Sequence, residues 1–222
     1  ALRLERVLGS TAGFWLSRET RYRERLARHA YRARLEEWTG WLDELPVKHL
    51  MKASAIPDLR NQGKNRPEIV DSLLRFFGVA SPDEWREHYG ALQGAFRPTR
   101  SDQSDDAAIA AWLRIGEREA EGIEPARFDE RHFRRALHSV RALTREPAAT
   151  IGARLTEICR NAGVIVVFVD HLPRTHVSGV TRWLNPHCAL IQLSLYGTWN
   201  DRMWFTFFHE AAHLLLHSKD KT

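Results

Sequence analysis

Apolar positions follow two different rules along this chain. Up to about residue 147 they recur every three or four residues, the period of helices with one buried face. Residues 2–8 carry Leu4, Val7 and Leu8 and stop at Gly9. After the loop Ser10–Gly13, Phe14-Trp15-Leu16 reads as an apolar anchor before a long helix from about Arg18 to Trp38, with Tyr22, Leu26, Ala30 and Ala33 as its apolar positions. Trp41, Leu42 and Leu45 follow, and Pro46 opens a helix over 47–53. A polar loop over 60–66 gives way at Pro67 to a helix bearing Ile69, Val70, Leu73, Leu74 and Phe77, closed by Gly78. Ser81-Pro82-Asp83-Glu84 is a capping box, and Trp85, Tyr89 and Leu92 line the helix it starts. Residues 97–106 are polar and read as a loop. Helices are expected from Asp106 to about Glu121, through Ile109, Trp112 and Leu113, and from Asp129 to about Leu143, through Phe133, Leu137 and Val140.

From about Ala148 the pattern changes. An amphipathic helix over 150–162 ends at Gly163, and Val164-Ile165-Val166-Val167-Phe168-Val169 is a β-branched run that reads as a buried strand. Further strands are expected over 177–184 and 188–195, around a turn at Asn185-Pro186-His187. A last helix is expected after Asn200 as N-cap. The predicted fold class is α+β, predominantly helical: a helical N-terminal and middle region, then a helix, a three-stranded sheet and a final helix.

Composition narrows this only slightly. The 222 residues are 43% hydrophobic, enough for real cores, and no apolar run is long enough to span a bilayer. The chain does not begin with Met and is expected to be cut at both ends. Cys159 and Cys188 both sit in apolar segments and are expected to be reduced and buried, which points to a cytoplasmic protein. The net charge is +5, and residues 1–35 hold nine Arg against three Glu. Arg18, Arg21, Arg25, Arg28 and Arg32 form a basic stripe that suits either a solvated helix face or nucleic acid. In the middle region, aromatic residues at helical spacing read as core packing.

The final helix contains His209-Glu210-Ala211-Ala212-His213 inside an aromatic run. Positions i and i+4 share a helix face, so two imidazoles can meet one ion, with a carboxylate beside them to activate water. This His-Glu-x-x-His spacing is the zincin signature. His217 continues the face but stands about 12 Å from His209 by helix rise, too far to join the same ion. The long metzincin spacing is absent, which leaves Asp220 as a weak candidate for a ligand that folds back.

Two stretches resemble known families. Leu4-Glu5-Arg6-Val7-Leu8-Gly9, then Phe14-Trp15-Leu16 and Tyr22, resembles the end of a HigA/Xre-type helix-turn-helix domain whose recognition helix would precede Ala1. Leu172-Pro173-Arg174-Thr175-His176-Val177-Ser178-Gly179, Ala189-Leu190-Ile191, Trp204-Phe205-Thr206 and His209 to His217 resemble the ImmA/IrrE zinc metallopeptidases. The resemblance implies three parts: a helix-turn-helix remnant with its connecting helix over 1–38, a helical adaptor over 39–147, and a zincin-like domain over 148–222, truncated at its C-terminus. It further implies zinc as cofactor, His209 and His213 as its ligands and Glu210 as the general base toward zinc-activated water. The family's third ligand, an acidic residue on a later helix, is not present in this chain. His176 is the candidate oxyanion or substrate contact, and the strand through Ser178 and Gly179 is the candidate for pairing with an extended substrate.

The implied activity is cleavage of a repressor-like or antitoxin regulator, with roles in transcription regulation, toxin–antitoxin control or stress response. A competing expectation is a HigA-like DNA-binding antitoxin or transcription regulator whose zincin domain is a sensor or binding module without peptidase activity. The expected partners are a protein substrate, DNA for the intact protein rather than this stretch, and a second copy in a homodimer. No membrane partner is expected.

Overall fold

The computed structural model describes residues 1–96, 105–194 and 201–216, excepting the side chains of 90–96, 148 and 201. The chain is mixed α and β and mostly helical. It divides into two compact units, 1–84 and 85–222.

The first unit holds α1 (Leu2–Leu8), α2 (Ala12–Glu37), α3 (Val47–Lys52) and α4 (Arg66–Phe77), with α5 (Pro82–Phe96) beginning at its end. Phe14-Trp15-Leu16, expected as an anchor before the long helix, lies inside it. Thr11 caps α2, its hydroxyl accepting from the Phe14 N–H at 3.2 Å, so the helix starts earlier than its apolar spacing indicates. Leu35 is the buried residue of α2. Most of this unit's core comes from α4, which buries Ile69, Val70, Leu73, Leu74, Phe76 and Phe77 and ends at Gly78 in the left-handed region, φ 71°. The capping box forms as expected on one side, with Ser81 Oγ accepting from the Glu84 N–H at 3.1 Å. Its return bond goes from the Ala80 N–H to Glu84 Oε2 at 2.6 Å.

The second unit is built on a sheet. It contains α6 (Asp106–Ala120), α7 (Glu130–Leu143), α8 (Ala148–Asn161), β1 (Val164–Val169), β2 (Gly179–Asn185), β3 (Cys188–Ser194) and α9 (Asp201–Leu216). The strand order is β1-β3-β2, with β3 parallel to β1 and antiparallel to β2. Successive side chains point to opposite faces. Val164, Val166, Ala189, Ile191 and Leu193 meet α7, α8 and α9 in one core, together with Phe133, Val140, Leu155, Phe207 and Ala211. The other face, through Val167 and Gln192, meets α6. There Trp112 Nε1–H donates to the Val169 carbonyl at 3.4 Å, and Gln192 Nε2 donates to the Trp112 carbonyl at 2.6 Å.

The sheet therefore lies between α6 on one side and α7, α8 and α9 on the other. The unit boundary at 84 and 85 differs from the part boundaries at 38 and 147 that the family resemblance implies. Helices α6 and α7, read from sequence as part of an adaptor, cover the same sheet as α9. Both cysteines are free and buried. Among the described residues no helix is long and apolar enough to cross a membrane.

Candidate metal centre

Helix α9 turns Trp204, Phe207, Ala211 and Leu214 into the core at spacings of three and four. That fixes which way the rest of the helix faces. His209 is exposed and His213 half-buried, and their Nε2 atoms stand 3.2 Å apart with the rings at 86°. Phe205, one turn earlier, stacks on the His209 ring at 6.1 Å and 16°.

Two nitrogens bound to one tetrahedral zinc lie roughly 3.3 Å apart, given Zn–N bonds of about 2.0–2.1 Å. The observed separation fits that donor pair. Without an ion the same separation is a hydrogen bond, with one Nε2–H donating to the other ring. The described residues contain no group of three His, Cys, Asp or Glu placed to hold a metal ion. They supply two ligands and no third. His217 and Asp220, and the expected cap Asn200, lie outside the described residues.

Glu210 stands about 100° round the helix from His209, on the side that meets the sheet. It is buried, and its side-chain stem runs beside Gly179 at the start of β2. The Thr181 hydroxyl donates to the Glu210 main-chain carbonyl at 2.9 Å, tying β2 to this turn of α9. Burial pushes the Glu210 carboxyl above its usual range, while Thr181 and His209 act to lower it. Because the single Thr181 proton is already given to a carbonyl, burial dominates.

β2 lies at an edge of the sheet, and among the described residues it pairs with β3 alone. The Ser194 N–H donates to the Ser178 carbonyl at 2.8 Å. With this register, positions 178, 180 and 182 bond inward to β3, while Gly179, Thr181 and Trp183 turn their main-chain groups outward. The two residues expected to meet substrate are thus separated, since Gly179 presents its backbone to the open edge and Ser178 does not.

His176 lies in the loop before β2, at φ 47°, and lines a cavity of about 300 Å³ with Arg174 and Arg202. The structure thus brings His209 and His213 together, sets Glu210 against Gly179, and places His176 and Ser178 in the wall of that cavity.

Thr181 and Arg202 were not singled out by sequence reasoning. Thr181 follows the only glycine of its strand, and an isolated glycine in a strand signals close backbone approach. Arg202 gives no comparable signal.

No protein-family model matches the chain, and neither a curated protein nor a solved structure matches it.

Proposed function

We propose that this chain is a zinc-dependent endopeptidase of the ImmA/IrrE type that cleaves a repressor-like or antitoxin regulator protein. The observation that carries this reading is one turn of α9: two imidazole nitrogens 3.2 Å apart at the surface, with a buried carboxylate next to them in sequence. A helix that served only to pack would have no need of all three groups.

In this reading His209 and His213 hold the zinc, and the third ligand comes from outside the described residues. Bound zinc supplies Lewis acidity, polarising a carbonyl and bringing the pKa of water down to about 7. Glu210 takes the proton from the attacking water and passes it to the leaving amine nitrogen. The outward main-chain groups of Gly179 and Thr181 pair with an extended substrate backbone, as edge strands do. His176 contacts substrate from the loop beside them.

One observation favours the second reading, a DNA-binding antitoxin or regulator whose metal domain only senses. Arg18, Arg21, Arg25, Arg28 and Arg32 are all exposed on α2.

Zinc analysis together with cleavage of a neighbouring regulator protein separates the two. Measured on the protein extended past Thr222 so that a third ligand is supplied, the peptidase reading expects zinc in the unaltered protein and in Glu210→Gln, its loss in His209→Ala, and cleavage by the unaltered protein alone. Glu210→Gln is expected to lower the cleavage rate by about a hundredfold or more, the scale of a lost general base. Zinc without cleavage in the unaltered chain supports the sensor, and no zinc at all removes both.

A further inference from the structure

The cavity before β2 has a chemical character that the metal centre does not use. Its wall is formed by the loop 171–178 and by Arg202 in the first turns of α9. Among the described residues, each ionisable side chain lining it is of the basic type: His171, Arg174, His176 and Arg202.

The loop is held in an unusual shape. Arg174 and His176 both have positive φ, 68° and 47°. Side chains with a Cβ avoid that region at a cost of about 1–3 kcal/mol each, so surrounding contacts must impose it. Those contacts are visible. Thr175 is buried, and its hydroxyl donates to the Leu172 carbonyl at 2.8 Å. The Asp105 N–H donates to the Arg174 carbonyl at 2.8 Å. The loop's far end is tied by the Ser178 carbonyl to β3.

Arg174 keeps donors for a ligand. Among the described residues the carboxylate oxygen beside it is Oδ2 of Asp105, 3.9 Å from Nη1, and the Arg174 side chain is 75% exposed. Asp105 is already engaged, its Oδ1 accepting from the N–H groups of Ala107 and Ala108 as the cap of α6.

Position supplies the rest. Arg202 precedes His209 by seven residues, or about 10 Å of helix rise. An extended peptide covers that distance in about three residues. The loop runs directly into Gly179, the first residue of the open edge.

We propose that this cavity is a specificity subsite for an acidic side chain of the protein substrate, about three residues from the bond cut, its carboxylate held by the guanidinium groups of Arg174 and Arg202. Its place in cleavage rests on the peptidase reading, whereas its preference for a carboxylate does not. Arg forks suit a planar carboxylate, and His176 lies in the same wall.

The test measures binding to metal-free protein by fluorescence anisotropy, using labelled short-peptide pools that differ only in one fixed position, Glu or Gln. The Glu pool is expected to bind about tenfold tighter, the effect of one charge-assisted hydrogen bond. That preference should vanish in Arg202→Gln and in Arg174→Gln with the melting temperature unchanged, and survive in part in Arg202→Lys. His209→Ala should leave it intact, so that failure of the zinc reading and failure of the subsite are read separately. Equal binding of the two pools, or a preference that persists in both Gln variants, overturns the assignment. Inorganic phosphate that binds alone more tightly than the Glu pool overturns it as well, by making the cavity a site for free anions.

Discussion

At Gly179 the main chain of β2 passes so close to α9 that a Cβ would stand 2.6 Å from Thr206 Cγ2 and 3.0 Å from Glu210 Cγ. Glycine is needed here for space, since its φ is not in the left-handed region. Gly179→Ala forces either the strand outward or the Glu210 stem aside. It is expected to destabilise the protein by about 1–3 kcal/mol, as overpacking does, which a urea denaturation midpoint will measure. In the peptidase reading it is also expected to lower cleavage more than Zn²⁺ affinity, because the added Cβ meets the Glu210 stem and neither imidazole is among its nearest neighbours. Unchanged stability and activity would show that the approach is looser than described. The spacing of His209, Glu210 and His213 was legible in sequence because a helix converts i and i+4 into one face. That Glu210 would be buried against Gly179 was not, because it depends on which strand crosses the helix.

Among the elements, the helices and strands were largely readable and their partners were not. Val164 to Val169 is a strand in the structure as in the sequence, because six apolar residues bounded by Gly163 and Asp170 leave little alternative. Periodicity told that α6 has an apolar face and could not tell that β1 and β3 cover it. Nor does alternation encode strand order, so the parallel pairing of β1 with β3 and the edge position of β2 became known only from the fold. Arg182 shows how β2 is fixed at that edge: its Nη1 donates to Glu117 Oε1 at 2.5 Å and its Nη2 to the Leu113 carbonyl at 3.2 Å, both on α6. The junction of α8 and β1 is a sharper case. Gly163 has φ 86°, and a Cβ there would lie 2.3 Å from the Phe128 N and Cα atoms. Both the conformation and the space exclude a side chain, and the obstacle is backbone that cannot rotate away. Gly163→Ala is therefore expected to cost more than Gly179→Ala, about 3 kcal/mol or above. Comparing the two variants in one denaturation series tests that order, and the reverse order would contradict it.

At the scale of the molecule, the unit with the candidate metal centre contains buried groups that hold their protons unusually tightly. Burial pushes the Cys159 thiol from 9.0 to about 12. Tyr89 rises from 10.0 to about 12, chiefly by burial and then through the Glu117 charge. Cys188 is raised by burial too. In each case the folded chain keeps a proton that the unfolded chain has released, so the protonated form stabilises the fold. That contribution is complete below the unfolded pKa and is lost as pH rises toward the folded one. For Cys159 the window runs from about 9 to about 12, and Tyr89 joins it above about 10. Unfolding free energy should therefore fall through this range, by up to about 1.4 kcal/mol per pH unit for each group. Urea denaturation at closely spaced pH values will show the fall. Cys159→Ala removes one such proton, so its curve should be flatter between pH 9 and pH 10, before Tyr89 contributes. A variant curve parallel to that of the unaltered chain would mean that Cys159 ionises alike in the folded and unfolded states, and that α8 leaves water a path to its sulfur.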